Sequence, residues 1–239
     1  MGNGGLGVAV IRSDEEAQAY FSVSRDDIIL QEYIEGLEFG VFYYRFPQEE
    51  SGNIFAITDK RFTTVTGDGI CSLEKLILDD ARAVAMAPFF FNKHVERLFE
   101  VLAAGEEIRL AELRTHSRGS LFLDGSHLAT PELEAEMDRI SKCFDGFYFG
   151  RYDIKVPSTD ASQQGKDIRV LELNGITSEA TSIYDPKNGL FTAYRVLFNQ
   201  WSIASKIVEQ NGSQNIKPAK HRIVNKQLLA FKNHEKVEV

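Results

Sequence analysis

The sequence predicts an α+β fold in which antiparallel strand pairs are joined by short polar connections and accompanied by separate helices. Two pairs of strand-like segments indicate this class: 38–46 with 55–58, and 147–156 with 168–173. The connections Gln48–Asn53 and Ser158–Asp167 are polar, as expected of hairpin loops. A third observation is that helix start signals occur outside these pairs.

Helices are predicted at five places. Ser13, followed three residues later by Glu16, has the spacing of a capping box. Thr130 is a suitable N-cap before Pro131, because proline is favoured in the first helical turn, where its missing N–H costs nothing. The predicted helices cover 14–21, 72–78, parts of 81–104, 131–144 and an amphipathic segment at 190–209.

Two further apolar runs are predicted to be extended. Val8–Ile11 is strand-like and directly follows a glycine-rich segment. Ile28–Ile34 is predicted to be a buried strand that ends at the polar turn Glu35-Gly36. Beyond Gly212 the tail is basic and weakly patterned, and the sequence does not place it.

Composition and charge exclude several classes of protein. The 239 residues are 43% hydrophobic and 26% charged, which is ordinary for a globular chain with one core or two small lobes. The net charge of −8 argues against a nucleic-acid partner. We also expect no membrane partner, because no run approaches the roughly 20 apolar residues that span a bilayer, and no signal pattern is present. Cys71 and Cys143 have no metal-site spacing, which predicts a reduced, cytoplasmic protein.

The glycine-rich segment at the start of the sequence matches G-x-G-x-x-G at Gly2, Gly4 and Gly7. A dinucleotide site would need a strand before this motif and a helix after it, and here the strand-like run follows instead. A glycine-rich turn that leads into a strand is suited to closing its backbone N–H groups over phosphates. The alternative is a terminus without function.

The strongest chemical signal joins two of the predicted strands. Alternation along 147–156 places Asp153 on the same face as Arg151 and Lys155, and alternation along 168–173 gives Glu172 and Asn174 a common face. Paired as a hairpin, the strands would bring together hard oxygen ligands of the kind that Mg²⁺ prefers. The alternative is two amphipathic strands with charged outer faces.

These segments resemble the metal-binding strands of the ATP-grasp ligases, in particular D-alanine–D-alanine ligases. The stretch Leu30–Phe39 is similar to the family's hinge between lobes, and Gly2–Val8 to its phosphate-covering loop. The stretch Thr66–Ile77 is similar to a loop of carboxylate–amine ligases in this superfamily. The resemblance covers roughly residues 2 to 200 and implies two lobes with antiparallel sheets that clamp ATP between them.

The resemblance also implies roles for individual residues. Mg²⁺ would be held by Asp153, Glu172 and Asn174, and Arg151 would stabilise charge on the transferring phosphoryl group or on the tetrahedral intermediate. The remaining expected cofactor contacts are phosphate for Gly4, Gly5 and Gly7, adenine for the backbone of Glu32, Tyr33 and Ile34, and ribose for Glu38.

Four more residues are candidates for the catalytic centre. Lys60 and Arg61, at the end of a predicted strand, are expected to contact phosphate, although a solvated surface pair is the alternative. His116 and Arg118 are expected to line the substrate or phosphate side, with an ordinary surface-loop histidine as the alternative.

The sequence departs from the family in two respects. The family has a lysine-bearing strand and a whole domain before the glycine loop, so we expect a truncated chain. The residues 175–181 do not reproduce the substrate loop of D-alanine–D-alanine ligases, so the substrates of those enzymes are not expected here. We divide the chain into a glycine-loop lobe (1–31), a lobe with hinge and metal site (32–211) and a basic tail (212–239).

The expected function is an ATP-dependent ligase that joins a carboxylate to an amine, or a similar nucleophile, through an acylphosphate, with ATP and Mg²⁺ as cofactors. The expected partners are these small molecules, with a homodimer or a partner chain supplying the missing domain. One alternative is a non-catalytic ATP-binding fragment or regulatory subunit. Another is an interaction module whose docking patch is Phe89-Phe90-Phe91, which we expect instead to lie in a core or under a further domain.

Overall fold

A computed structural model gives the structure of residues 8–24, 27–111, 120–220, 222–226 and 229. Within these residues the chain forms a five-stranded antiparallel sheet of order β5-β2-β1-β6-β7 and a two-stranded sheet of β3 and β4. The predicted α+β class with antiparallel sheets is confirmed. The strands are β1 (Leu37–Tyr44), β2 (Asn53–Arg61), β3 (Thr64–Thr66), β4 (Glu107–Arg109), β5 (Leu121–Asp124), β6 (Phe149–Val156) and β7 (Arg169–Asn174).

Six α-helices accompany the sheets in the described residues between 8 and 220, and four of them begin with a side-chain cap. The hydroxyls of Ser13, Ser72, Thr130 and Ser158 each accept a hydrogen bond from the backbone N–H three residues later. The signals read at Ser13 and Thr130 are therefore confirmed. The helices are α1 (Asp14–Val23), α2 (Leu73–Asp79), α3 (Ala87–Lys93), α4 (Pro131–Ser141), α5 (Thr159–Gln163) and α6 (Leu190–Ser213).

The five-stranded sheet packs apolar side chains on both of its faces. On one face, β1, β2 and β6 pack beneath α4, where Leu133 and Met137 are fully buried. On the other face, Phe42 and Phe149 pack with Ala204 and Ile207 of α6. Helix α6 covers only one end of this second face, and the candidate site lies at the other end.

A separate apolar cluster surrounds the small sheet. Side chains of α2 and α3 pack against β3 and β4, with Leu73, Ile77 and Phe90 fully buried. Phe89 and Phe91 are partly buried against the same cluster, so the three adjacent phenylalanines contribute to a core and form no exposed docking patch.

Three predicted segments differ from the structure. Ile28–Ile34 is not a strand, and Ile29 and Leu30 are 77% and 80% exposed. The reason is topological, because β1 already has β2 and β6 as its two neighbours. The segment contacts the sheet through side-chain hydrogen bonds, among them the one that Gln31 Nε2 donates to Leu171 O of β7 at 3.4 Å. Val8–Ile11 is likewise in no strand. The predicted loop 158–167 contains α5.

No helix in the described ranges is both long enough and apolar enough to cross a membrane. The three-part division of the chain stays a prediction.

Candidate functional site

The candidate site is built on alternating side chains of β6. Tyr152, Ile154 and Val156 point to the face under α4 and are fully buried in hydrocarbon. Since successive residues of a strand point to opposite faces, Arg151, Asp153 and Lys155 share the other face. All three have little exposure, so this strand carries charge into a region where water is scarce.

Lys60 connects three strands on this second face. Its Nζ lies 3.1 Å from Oε1 of Glu38, its register partner on β1, and 2.9 Å from Oδ2 of Asp153 on β6. The side chains of Lys60, Glu38 and Asp153 are 5%, 12% and 9% exposed. The ring of Phe122 on β5 lies beside the ammonium group, 5.7 Å from Nζ. This arrangement is a buried ion-pair network and not a surface salt bridge.

Arg151 completes the network from the opposite side. Its Nε donates to Oδ1 of Asp153 at 3.1 Å, and its Nη1 donates to the backbone oxygen of Glu179 at 3.0 Å. Glu179 belongs to the loop after β7, so Arg151 ties that loop to the sheet. Both oxygens of Asp153 therefore accept from cations, one each from Lys60 and Arg151.

A glycine leaves room for this network. Gly40 of β1 lies opposite Asp153, and a Cβ placed there would come within 3.3 Å of Arg151 Cδ and 3.5 Å of Asp153 Oδ1. Because Gly40 has no side chain, the side chains of Arg151 and Asp153 can lie against the backbone of β1.

Strand β7 places the other two predicted metal ligands next to Asp153. Glu172 pairs with Asp153 and Asn174 pairs with Arg151, and directly paired residues project to the same face. Glu172 is exposed, and its side chain forms no hydrogen bond or ion pair with a described residue. The Nδ2 atom of Asn174 is buried and has no hydrogen-bond partner in the described part of the chain. A buried amide group without a partner is costly, and a ligand or an ordered water would supply the missing partner.

The donor set fits Mg²⁺ in its chemistry. Asp153 and Glu172 supply carboxylate oxygens, and a flip of the Asn174 amide exchanges its nitrogen for an oxygen ligand. Each Asp153 oxygen has a second lone pair besides the one used by its cation. Among the described residues no group of three or more His, Cys, Asp or Glu side chains is arranged to hold a metal, so a magnesium site here would depend on two carboxylates, an amide, phosphate and water.

Lys155 holds the predicted hinge against the sheet. Its ammonium group donates to the backbone oxygen of Ile34 and lies 4.7 Å from the centre of the Tyr33 ring. Gly36 takes a φ of +124°, and a Cβ there would come within 2.4 Å of Val156 O, so the chain can pass this close to β6 only with glycine. Glu32 of the same segment is exposed.

The structure separates Arg61 from the candidate site. Arg61 follows Lys60 on β2 and therefore projects to the opposite face, where its 62% exposed side chain pairs with Asp59 at 2.8 Å. The prediction grouped both residues because sequence alone does not show which face of β2 meets β6. Its expected phosphate contact is not supported by this position.

Several site residues were absent from the predicted set. The two-residue period placed Lys155 on the face of Arg151 and Asp153, but no role at the site was predicted for it. Gly40 and Phe122 could not be found, because their roles depend on the register between strands distant in sequence. The predicted residues Gly4, Gly5, Gly7, His116 and Arg118 lie outside the described residues.

Comparison with solved structures finds the crystal structure of a bifunctional glutathione synthetase from Pasteurella multocida, with a TM-score of 0.47 and 15% identity. The match covers 72% of this chain and 24% of that chain, so this chain spans about a quarter of that protein's length. No protein-family model matches the chain, and no curated protein sequence matches it either. A likeness at this level assigns neither a fold family nor an activity.

Proposed function

We propose that this chain is the nucleotide-binding and catalytic part of an ATP-dependent ligase that joins a carboxylate to an amine through an acylphosphate. The observation that supports the proposal is the buried network in which Lys60 and Arg151 flank Asp153, beside the unpartnered amide of Asn174. This proposal takes up the resemblance to ATP-grasp ligases in the order of motifs along the sequence.

The cost of burying charge favours a functional role for the network. Taking ionised side chains out of water costs several kcal/mol each, and apolar residues of similar size are often as stable or more stable. The same strands show that the chain can place apolar groups at such positions, because Phe42 and Phe149 fill the other end of this face. A charged end that is not needed for stability is typical of a site shaped for a ligand.

The charges suit an anionic ligand bound together with a divalent cation. Asp153, Glu172 and Asn174 would hold Mg²⁺, which supplies charge neutralisation at the phosphate oxygens. Lys60 and Arg151 already face the same region from both sides of Asp153, so their positive charge is available to the phosphoryl group in transfer.

The remaining residues would bind and orient the nucleotide. Glu38, next to Lys60, would accept hydrogen bonds from ribose hydroxyls, and the backbone at Tyr33 and Ile34 would meet the base. Because Lys155 fixes that backbone to β6, the hinge and the metal ligands belong to one continuous surface. Holding both ends of a nucleotide on one surface provides positioning, which is the main requirement of phosphoryl transfer.

Thermal unfolding with and without Mg-ATP tests the proposal. A ligand at about 100 times its Kd that binds only the folded chain adds about 2.7 kcal/mol of stability. We expect such a gain in the wild type, a smaller gain with ATP and no magnesium, and little gain in Asp153→Asn and Glu172→Gln. Glu136→Gln is the control, because Glu136 lies on α4 and pairs with Arg139.

The reaction is tested by phosphate release with a panel of carboxylates, with and without amines. Release that needs a carboxylate and is lost in Glu172→Gln, whose exposed side chain is not needed for folding, supports the ligase. Nucleotide stabilisation without release from any carboxylate supports the non-catalytic alternative. No stabilisation of the wild type at millimolar Mg-ATP contradicts both.

A further inference from the structure

Helix α6 carries two apolar stripes, of which only one is covered. Val196, Ile203, Ala204 and Ile207 pack against the sheet in the cluster that includes Phe42 and Phe149. The second stripe faces solvent, and its large members are Phe191, Tyr194, Phe198, Trp201 and Val208, which are 90%, 54%, 74%, 55% and 64% exposed. A helix that is apolar on both sides is normally buried on both sides.

The spacing of the exposed stripe is that of a helix–helix seam. Its members follow one another at alternating intervals of three and four residues, with Ser205 filling the position between Trp201 and Val208. This is the repeat that lets two helices pack side chains between each other along their length. The stripe therefore suits another helix, and not an extended peptide or a flat surface.

The stripe also has a size suited to an oligomer interface. A fully exposed aromatic side chain offers about 150–250 Å² for burial. At the exposures above, the stripe together with Leu190 offers roughly 700 Å² per copy, near the ~800 Å² per partner of a standard interface. Patches of this size are unusual on monomers and mark sites of association.

We propose that the exposed face of α6 is the contact of a two-fold dimer, in which two copies of this helix pack antiparallel about an axis near Trp201 and Ser202. This inference does not depend on the proposed function. In this arrangement, large side chains of one helix lie opposite small residues of the other. Phe198 lies opposite Ser205 of the second copy, and Phe191 lies opposite Gly212. Such an interface is self-complementary, as two-fold symmetry requires.

The charges on α6 agree with this axis. Arg195 and Glu209 lie beside the stripe on the same side, at nearly equal distances on either side of residue 202. Neither forms an ion pair with a described residue. In the antiparallel arrangement each Arg195 meets Glu209 of the other copy, whereas parallel helices would leave both without an opposite charge across the seam.

The first test is the mass of the chain in solution by light scattering over a range of concentrations. We expect twice the chain mass of 26.9 kDa, and a return to 26.9 kDa in Phe198→Asp. Phe99→Ser is the control, because Phe99 is a 79% exposed aromatic outside α6, and this variant should stay dimeric. A wild type that remains at the single mass at all concentrations overturns the proposal.

Trp201 gives a second readout, since it is the chain's only tryptophan. Its fluorescence should shift to shorter wavelength as concentration rises, and it should remain at the exposed position in Phe198→Asp. Unchanged unfolding temperature at low concentration would show that this variant still folds.

A charge exchange tests the direction of the helices. Arg195→Glu and Glu209→Arg should each raise the dissociation constant roughly tenfold, and the double variant should recover most of the loss. Failure of the double variant to recover would overturn the antiparallel arrangement.

Cross-linking locates the axis. In a background of Cys71→Ser and Cys143→Ser, Ser202→Cys should be joined to its mate by a short bifunctional thiol reagent. Arg195→Cys should not be, because its two copies lie about 20 Å apart along the helices. Cross-linking of both variants indicates a parallel pair, and cross-linking of neither contradicts the interface; either result overturns the proposal.

Discussion

The two faces of the five-stranded sheet are built from the same strands, but one face is lined by apolar side chains and the other carries buried charges at one end. Under α4, the side chains of Val41, Ile57 and Ile154 form a continuous hydrocarbon core. Across the backbone from Ile154, Asp153 and Lys155 are buried among other charges. Apolar burial stabilises the chain without needing partners, whereas buried charge is tolerated only when it is paired. Comparing the two faces separates the apolar residues that stabilise the fold from the charged residues of the candidate site.

Two buried aspartates, Asp138 and Asp153, show the same difference between the apolar face and the candidate site. Asp138 of α4 accepts hydrogen bonds from the Tyr43 hydroxyl at 2.7 Å and the Gly52 N–H at 2.9 Å, and it pairs with Lys142 at 2.6 Å. These contacts fasten a helix to a hairpin. Asp153 is held between two cations and lies beside exposed Glu172. The partners of Asp138 account for it as a structural carboxylate, whereas a ligand is needed to account for Asp153 under the proposed function.

The largest effect is expected at Lys60. Lys60→Met leaves Glu38 and Asp153 as buried carboxylates facing each other, which should lower the free energy of unfolding by about 3 to 5 kcal/mol. Glu38→Leu together with Lys60→Met removes one cation and one anion and keeps the pair of Arg151 with Asp153. The double variant should regain wild-type stability, or exceed it by about 1 to 4 kcal/mol, when measured by urea unfolding.

The double variant also sharpens the comparison between the faces. This variant should fold well, but Mg-ATP should not stabilise it, because apolar side chains replace two of the buried charges at the candidate site. Arg61→Met is the control on the same strand, where removal of an exposed pair should change stability by no more than about 0.5 kcal/mol. A Lys60→Met variant as stable as the wild type would contradict the interpretation of this network as buried.

An intermediate effect is expected from adding a methyl group to a glycine on each side of the sheet. In Gly52→Ala the new Cβ would lie 2.2 Å from the Tyr43 hydroxyl, and this fully buried ring cannot move without losing its bond to Asp138. We expect a loss of about 1 to 3 kcal/mol in urea unfolding. Gly40→Ala meets the flexible Cδ of Arg151 at 3.3 Å, so its stability should change by less than about 1 kcal/mol.

Nucleotide binding should respond in the opposite order to these two substitutions. Gly40→Ala displaces Arg151 and should reduce the stabilisation by Mg-ATP, while Gly52→Ala should leave that increment unchanged. Equal increments in both variants would argue against a ligand at the charged end.

Local signals in the sequence predicted most of the helices and strands. A capping hydroxyl and the residues of the next turn lie within one short segment, so Ser13 and Thr130 could be recognised without knowledge of the fold. The two-residue period likewise gave the common face of Arg151 and Asp153. The prediction failed at Ile28–Ile34, because an apolar run shows that a segment is suited to burial and not which partner covers it.

The site could be predicted only in part, because its centre depends on register between distant strands. Lys60 reaches Asp153 across β1, and the pairing of β1 with β2 shifts at an irregularity between Phe42 and Tyr43. A shift of one residue in this pairing reverses the face to which each side chain of β2 projects, so it would place Arg61 on the face where Lys60 now lies. No local pattern in β2 records that shift, which is why both residues were predicted together.

The smallest effect is expected from the pH dependence of Asp138. Burial raises the pKa of this carboxyl, but hydrogen bonds from Lys142, Tyr43 and Gly52 together outweigh burial and hold the pKa below its ordinary value of 3.8. A lowered pKa in the folded state stabilises the chain above the pKa of the unfolded state, and this contribution is lost as pH falls through the folded-state pKa. Asp138→Asn should therefore cost about 1 kcal/mol at neutral pH and progressively less below pH 4, as measured by urea unfolding at a series of pH values.

The salt dependence of stability distinguishes the buried Asp138 from a carboxylate at the helix surface. In 1 M salt, most of any effect of Glu136→Gln should disappear, while the effect of Asp138→Asn should remain largely intact. If the two variants respond alike to salt and pH, Asp138 acts as a surface charge, and the contrast between a structural carboxylate under α4 and a ligand-directed one on β6 does not hold.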